Sequence, residues 1–284
     1  MKVAYYRIGN EFDRIKISYI KKLKEIFSRG DFINSNSNLR FENKIKNLLK
    51  VNYCIGVANG SDALEVGMLA LGIKKGDEVI TASNSWVSSL TSIINIGAKP
   101  VLVDVDDDFN IDCEMLKKAI NRKTKAIMPI HLNGLPANML EIIKISKKHK
   151  IKVIEDSAQS ILSKIGNKFT GTIGDIGCFS MHPTKNLGVA GDGGFIVTND
   201  KKIYNKIKII SNHGMNKEGQ SIMPGRNSRL DEIQAELILH KIKYLKKDIK
   251  KIRKIADLYS KKLVNFVKIP VIKKNYNIFH TYHR

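Results

Sequence analysis

The stretch YCIGVANGSDALEVGMLALGIKKGDEVITASNSW, Tyr53 to Trp86, decides the fold. It opens on a short apolar run, YCIGVA, and passes through a polar turn into the longer run SDALEVGMLALG. It then returns, after KKGD, to the short run EVITA. Short β-branched runs separated by a helix-length run make a strand–helix–strand unit. The same rhythm continues through SSLTSIINIG, KPVLVDV, CEMLKKAI, KAIMPI, NMLEIIKISKKH and KVIED. Alternation of this kind predicts an α/β protein with a mixed, mostly parallel sheet flanked by helices.

Working outward, residues 11–29 and 39–50 carry apolar positions at three- and four-residue spacing and predict two helices before the first strand. Between Gly166 and Val197, short apolar runs separated by glycine turns predict antiparallel strands joining the sheet. A helix is expected near 201–211, followed by the polar loop NHGMNKEGQSIMPGRNSR and a long helix beginning near Ser228. Its densest part, Lys241 to Leu263, is amphipathic with lysines on a solvated face. The expected organisation is a large domain over residues 1–240, including the N-terminal helices. The remainder, 241–284, reads as a long helix and the start of a smaller C-terminal domain, apparently truncated.

The composition is that of a globular chain: 43% hydrophobic and 27% charged over 284 residues. The opening MKVAYYRIGNEFDRIK is charged throughout and holds no apolar signal segment. The longest uncharged run, Val79 to Ala98, is studded with Ser, Thr and Asn and is no membrane span. A cytoplasmic protein is expected. Cys54, Cys113 and Cys178 are far apart, and the seven histidines show no HxxxH or HExxH spacing, so neither a disulfide framework nor a metal site is expected. The net charge of +22 suggests anionic partners when taken alone. However, 40 lysines against 9 arginines, spread along the chain beside Ile and Asn, read as a compositional bias. No nucleic-acid motif accompanies them, and none of the expected partners is a nucleic acid or a membrane.

Lys185 stands apart from the other lysines. In CFSMHPTKNLGVAGDGG it lies between an apolar strand and a glycine cluster, where partial desolvation favours the neutral, nucleophilic amine. In VIEDSAQS two carboxylates, Glu155 and Asp156, end an apolar strand, where a charge is awkward unless a cation waits there. In NGSDA, Gly60, Ser61 and Asp62 open a helix just after a strand. Such a helix end suits a phosphate, although Ser and Asp are also ordinary N-caps. A lysine able to bond an aldehyde, a carboxylate able to pair with a pyridinium nitrogen and a phosphate cup are three parts of a pyridoxal phosphate site. Trp86, the only tryptophan, sits at another strand end where its ring could stack on the cofactor, or it could belong to the core.

The motifs GVANGSDALEVGMLALGIKKGDEVITASNSW, KTKAIMPIHLNGLPANM, VIEDSAQS, FSMHPTKNLGVAGDGG and GRNSRLDEIQAE, in this order over residues 40–260, resemble those of the DegT/DnrJ/StrS-type sugar aminotransferases. These are pyridoxal phosphate enzymes of the aspartate aminotransferase fold (fold type I). The resemblance implies that Lys185 holds the cofactor covalently and shuttles a proton, and that Asp156 pairs with the pyridine nitrogen. Gln159 would lie near the phenolic oxygen and Trp86 would stack on the ring. Ser61, the backbone of Asp62, and Ser180 would hold the phosphate. Asn227 would reach the phosphate of a neighbouring subunit, which implies a homodimer. His182 matches a family position without an assigned role. Met181 and Asn133 stand where relatives often carry an aromatic residue and a tyrosine. The activity the resemblance implies is transfer of an amino group, from glutamate by family analogy, to a nucleotide-linked keto-sugar for amino-sugar and surface glycan synthesis. The rival expectation is an inactive cofactor-binding sensor or partner subunit.

Overall fold

The computed structural model describes residues 8–270, 272 and 277–283. The charged opening at residues 1–7 lies outside the described residues, as do 271, 273–276 and 284 in the expected C-terminal segment. A 3-10 turn, Ile8–Arg14, leads into α1 (Lys16–Arg29) and α2 (Asn36–Leu49). There follow β1 (Tyr53–Val57), α3 (Gly60–Ala70), β2 (Glu78–Ala82), α4 (Val87–Asn95), β3 (Lys99–Val103), α5 (Cys113–Ala119), β4 (Thr124–Met128), α6 (Met139–His149) and β5 (Lys152–Asp156). A small hairpin, β6 (Lys164–Ile165) and β7 (Lys168–Phe169), precedes β8 (Ile176–Ser180) and β9 (Gly194–Thr198). The chain then forms α7 (Lys201–Ser211), α8 (Glu232–Lys241), α9 (Leu245–Leu263) and β10 (Ile278–Phe279).

Local chemistry sets the starts of four helices. Asn59, Asp112, Asn138 and Asp200 each lend a side-chain oxygen to amides in the first turn of α3, α5, α6 and α7. The α7 amides of Ile203 and Lys202 hold the Asp200 carboxyl below the usual carboxylate range. Lys147, Lys148 and His149 close α6, where positive charge suits the carboxyl end of a helix.

The helix expected over 11–29 is α-helical only from Lys16, after the 3-10 turn. Two further helix boundaries differ from the sequence expectation, each for a tertiary reason. α2 starts at Asn36 rather than near 39, because the distant carboxylate of Glu232 caps it. That group receives the backbone N–H groups of Ser35 at 2.8 Å, Ser37 at 2.7 Å and Asn38 at 3.0 Å. The expected long helix from Ser228 is two helices. The chain bends at 242–244, which lets Ile242 and Leu245 both remain buried while Arg14 grips Asp248 through two 2.9 Å hydrogen bonds. Beyond Ile249 the apolar side of α9 is exposed together with its lysines, including Ile255, Leu258 and Tyr259.

The main sheet among the described residues has seven strands in the order β1-β9-β8-β5-β4-β2-β3. Strands β8, β5, β4, β2 and β3 run parallel, and β9 is antiparallel to both β8 and β1. β9 is thus the one reversed strand, and β1 shares the direction of the rest. The expected antiparallel elements are present here and in the β6–β7 hairpin, whose other edge pairs with β10.

Alternate residues of the strands feed opposite faces. Phe179, Phe195 and Val197 point to a core with Phe41, Ile45 and Leu49 of α2 and Leu237 and Ile238 of α8. Cys178 and Ile196 face the other side, with Leu64, Val66 and Met68 of α3 and Ile207 of α7. The Phe179 and Phe195 rings stack at 4.5 Å, and Phe41 meets Phe195 edge-on at 5.7 Å. Helices cover both faces, so the architecture is the α/β sandwich that the strand–helix rhythm predicts.

Candidate active site

Because β1, β2, β4, β5 and β8 share one direction, their carboxyl ends open onto one edge of the sheet, the position where α/β proteins bind ligands. That edge collects Asn59 to Asp62 after β1, Trp86 and Ser89 after β2, His131 to Gly134 after β4, Asp156 to Gln159 at the end of β5, and Ser180 to Lys185 after β8. Asn227, in the 212–231 connection, lines a cavity with Asn59, Asp192 and Gln234.

The start of α3 lies directly against the end of β8. A Cβ at Gly60 would stand 2.7 Å from the Ser180 Cβ, so only glycine lets the helix end and the Ser180 hydroxyl form one cradle. The Asn59 side chain accepts the Asp62 N–H at 2.8 Å. The Asp62 amide therefore has a partner within the chain, and the open part of this helix end is at Gly60 and Ser61. Ser180 Oγ also accepts the His182 N–H at 3.3 Å.

The two carboxylates at the end of β5 are satisfied differently, and neither has a cation among the described residues. Glu155, fully buried, accepts N–H groups from Ile173 and Gly174 on Oε1, both at 2.6 Å, and from Gly171 on Oε2 at 2.8 Å. His131 Nε2 adds a contact at 2.9 Å. His131 Nδ1 accepts from the Ala137 N–H at 3.1 Å, so the ring proton lies on Nε2 and is donated to Glu155. The cation expected for Glu155 is replaced by a ring of donors, and its role is to fix the 171–174 turn. Asp156 is 6% exposed and accepts from Ser89 Oγ at 2.7 Å and from Ala158 N–H at 3.1 Å. Beside it, the buried Ser157 hydroxyl finds no hydrogen-bond partner among the described residues. Burial, with Asp156 and Glu155 adding to it, pushes the neighbouring Cys178 thiol well up, so this cysteine is no nucleophile.

Lys185 is half-buried in the loop between β8 and β9, its N–H bonded to the His182 carbonyl at 2.8 Å. His182 is exposed and touches the Thr184 hydroxyl at 3.0 Å through Nδ1. Trp86, at the N-cap position of α4, is 69% exposed and so stands outside the core. Gln159 accepts the Asn133 N–H at 2.7 Å through Oε1, and Asn133 itself takes a left-handed conformation (φ 54°) that suits asparagine.

These residues fit a pyridoxal phosphate. The chain brings a glycine-permitted phosphate cradle, a buried carboxylate with no counter-ion among the described residues, an unpartnered buried hydroxyl and an edge lysine to the same end of the sheet. Ser89, His131 and the Glu155 turn go beyond the sequence reading. The run SWVSSLTS holds several hydroxyls that local pattern does not distinguish, and His131 has no second histidine at metal-ligand spacing to mark it.

The sequence profile of the DegT/DnrJ/EryC1/StrS aminotransferase family matches residues 13–284. The chain is 37% identical over 288 residues to a pleiotropic regulatory protein of Geobacillus stearothermophilus, covering 99% of this chain and 77% of that protein. It is 37% identical over 274 residues to the UDP-N-acetyl-3-dehydro-alpha-D-glucosamine 3-aminotransferase of Acidithiobacillus ferrooxidans, covering 95% and 74%. The structure of NtdA from Bacillus subtilis with bound cofactor PMP superposes with a TM-score of 0.90 at 31% identity, covering 99% of this chain and 65% of that one. Among the described residues no helix is long and apolar enough to cross a membrane, and no group of His, Cys, Asp and Glu could hold a metal. This chain belongs to the DegT/DnrJ/EryC1/StrS family of pyridoxal phosphate-dependent aminotransferases.

Proposed function

We propose that this aminotransferase moves an amino group from glutamate to a nucleotide-linked keto-sugar, in a homodimer whose sites are shared between subunits. The observation that carries the reading is the convergence of Lys185, Asp156 and the Gly60–Ser180 cradle at one sheet edge, supported by the nucleotide-sugar substrate in the name of the Acidithiobacillus relative. When bound, pyridoxal phosphate supplies an electron sink that weakens the α-C–H bond of an amino donor. In this reading Asp156, fixed by Ser89 and Ala158, keeps the pyridine nitrogen protonated. Lys185 Nζ carries the cofactor and then moves the proton released from the donor's α-carbon. Ser61 and Ser180 hold the phosphate, joined by Asn227 of a second subunit, while Trp86 lies against the ring and Gln159 near its phenolic oxygen.

The test is the visible spectrum of the purified protein with pyridoxal phosphate, before and after glutamate and then a nucleotide-linked keto-sugar, beside Lys185→Ala. The reading expects a yellow band in the wild type that glutamate bleaches and the keto-sugar restores, and no such band in the variant. A band indifferent to glutamate removes the assigned donor. A band that no nucleotide-linked keto-sugar restores removes the assigned acceptor. Sedimentation at micromolar protein tests the homodimer.

A further inference from the structure

Three segments of the candidate site meet at one buried carboxylate outside it. Glu65 lies on α3, a turn beyond the phosphate cradle, and is 4% exposed. Its Oε1 accepts from Asn95 Nδ2 of α4 at 2.7 Å, and its Oε2 faces the Arg226 guanidinium as counter-charge. α4 is the helix that carries Trp86 and Ser89 at its start, and Ser92 of the same helix donates to the Ser61 carbonyl at 3.3 Å. Arg226 immediately precedes Asn227.

The segment 212–228 is an arm closed at its base. Asn212 and Asn227 form an antiparallel bridge, the Arg226 N–H reaches the Ile210 carbonyl at 2.7 Å, and the Ser228 N–H reaches the Ser211 carbonyl at 2.9 Å. Gly214 and Gly225 pass so closely that a Cβ at Gly225 would lie 1.9 Å from the Gly214 nitrogen. The tip, from Lys217 to Ile222, is exposed. All of those base contacts tie the arm to itself or to α7. The Arg226–Glu65 pair is the charged link from the arm to α3.

We infer that Glu65 and Arg226 are positioning residues for cofactor binding: the half-exposed Arg226, held by the buried Glu65 carboxylate, sets Asn227 and the arm against α3 of its own subunit, while Asn95 locks the same carboxylate to α4. The Glu65 carboxylate, at 4% exposure, is tolerated only with a compensating partner, so moving Arg226 away from it is costly and the arm is held beside α3. The effect on affinity rests on the proposed role of Asn227 at the phosphate; the anchoring of the arm does not.

Glu65→Gln, Arg226→Met and the double variant test this by equilibrium dialysis with pyridoxal phosphate, tryptic cutting at Lys217 and thermal melting. Each single change should weaken pyridoxal phosphate binding about tenfold, a size usual for residues acting through neighbours, and should speed cutting at Lys217. The double variant should be no worse than either single, because the two act as one unit. It also leaves no uncompensated buried charge, so it carries the test where a single variant fails to fold. A folded double variant that binds the cofactor and resists trypsin as the wild type does overturns the inference. A purely structural pair would move the melting temperature alone, which also overturns it. Asn227→Ala separates the two layers. If it binds pyridoxal phosphate at wild-type affinity, the role given to Asn227 is lost, and unchanged cutting in the double variant would then overturn the anchoring as well.

Discussion

Replacing Glu155 with glutamine tests how the candidate site is held up from beneath. The change keeps size and shape but turns one acceptor oxygen into a donor. If the amide nitrogen takes the Oε1 place, the N–H groups of Ile173 and Gly174 lose their acceptor; if it takes the Oε2 place, Gly171 and His131 do. His131 cannot switch tautomer to accommodate it, because its Nδ1 already accepts from Ala137. Two donors aimed at a fully buried group are therefore orphaned either way, at about 1–3 kcal/mol each, giving a loss of about 4 kcal/mol. That is a large share of the roughly 5–15 kcal/mol that keeps a domain folded. Thermal melting of the cofactor-free protein should then fall by about 10 °C, using the dependence of melting temperature on stability for chains of this size. A fall below about 3 °C would refute the donor count. Glu25→Gln, whose carboxylate meets Lys22 on the helix surface, should melt as the wild type does.

Three further changes probe other parts of the fold. Ser89→Ala removes the buried 2.7 Å hydrogen bond to Asp156 and should lower the melting temperature by about 5 °C, as expected for a bond to a charged group, and kcat about tenfold; a melt beside steady-state kinetics decides it. Gly177→Ala would place a Cβ 2.1 Å from the Gly171 carbonyl oxygen, backbone against backbone, and should destabilise by about 3 kcal/mol or more, read as loss of soluble yield and melting temperature. Glu42 is held by burial at a pKa of about 7, above its unfolded value, so the folded state binds the extra proton. Stability from this group is therefore present below about pH 4.5 and lost as pH rises through 7. Glu42→Gln should raise the melting temperature at pH 8, by up to about 3 kcal/mol in stability, and leave it nearly unchanged at pH 4.5.

What a sequence exposes and what it hides divide along the range of the interactions. The strand–helix rhythm from Tyr53 to Asp156 is local, and so are the Asn59, Asp112 and Asp200 caps. Lys185 is legible because it lies between an apolar strand and a glycine cluster, away from the charged runs. Asp156 and Glu155 look alike in VIED, and strand alternation only says that they face opposite ways. That Glu155 is answered by the turn at 171–174 and by His131 depends on pairing of β5 with β8 and on the β4 end, which no local pattern shows. The Glu232 cap on α2 and the Arg226–Glu65 pair join positions far apart in the chain. The bend between α8 and α9 has the same origin, since Ile242 and Leu245 fit a continuous helix until α1 is packed beside them.

The reversal of β9 has a consequence for how the lysine loop tolerates change. A parallel neighbour to β8 would need a crossover of a dozen or more residues, usually with a helix of its own. The antiparallel pairing of Ser180 with Gly194 instead closes the segment between them at its mouth. The Met181 N–H reaches the Gly193 carbonyl at 2.7 Å, and the Val189 N–H reaches the Met181 carbonyl at 2.8 Å. Mechanically this is a beam clamped at both ends, with Lys185 near mid-span, whereas the 212–228 arm is held at its root and by Met223 against the core, with its tip exposed. Length added between 181 and 193 must bow the span and carry the amine off target. Length added at the exposed tip near Gly219 meets no such resistance, which makes that tip the place to open the chain for new termini or a grafted sequence.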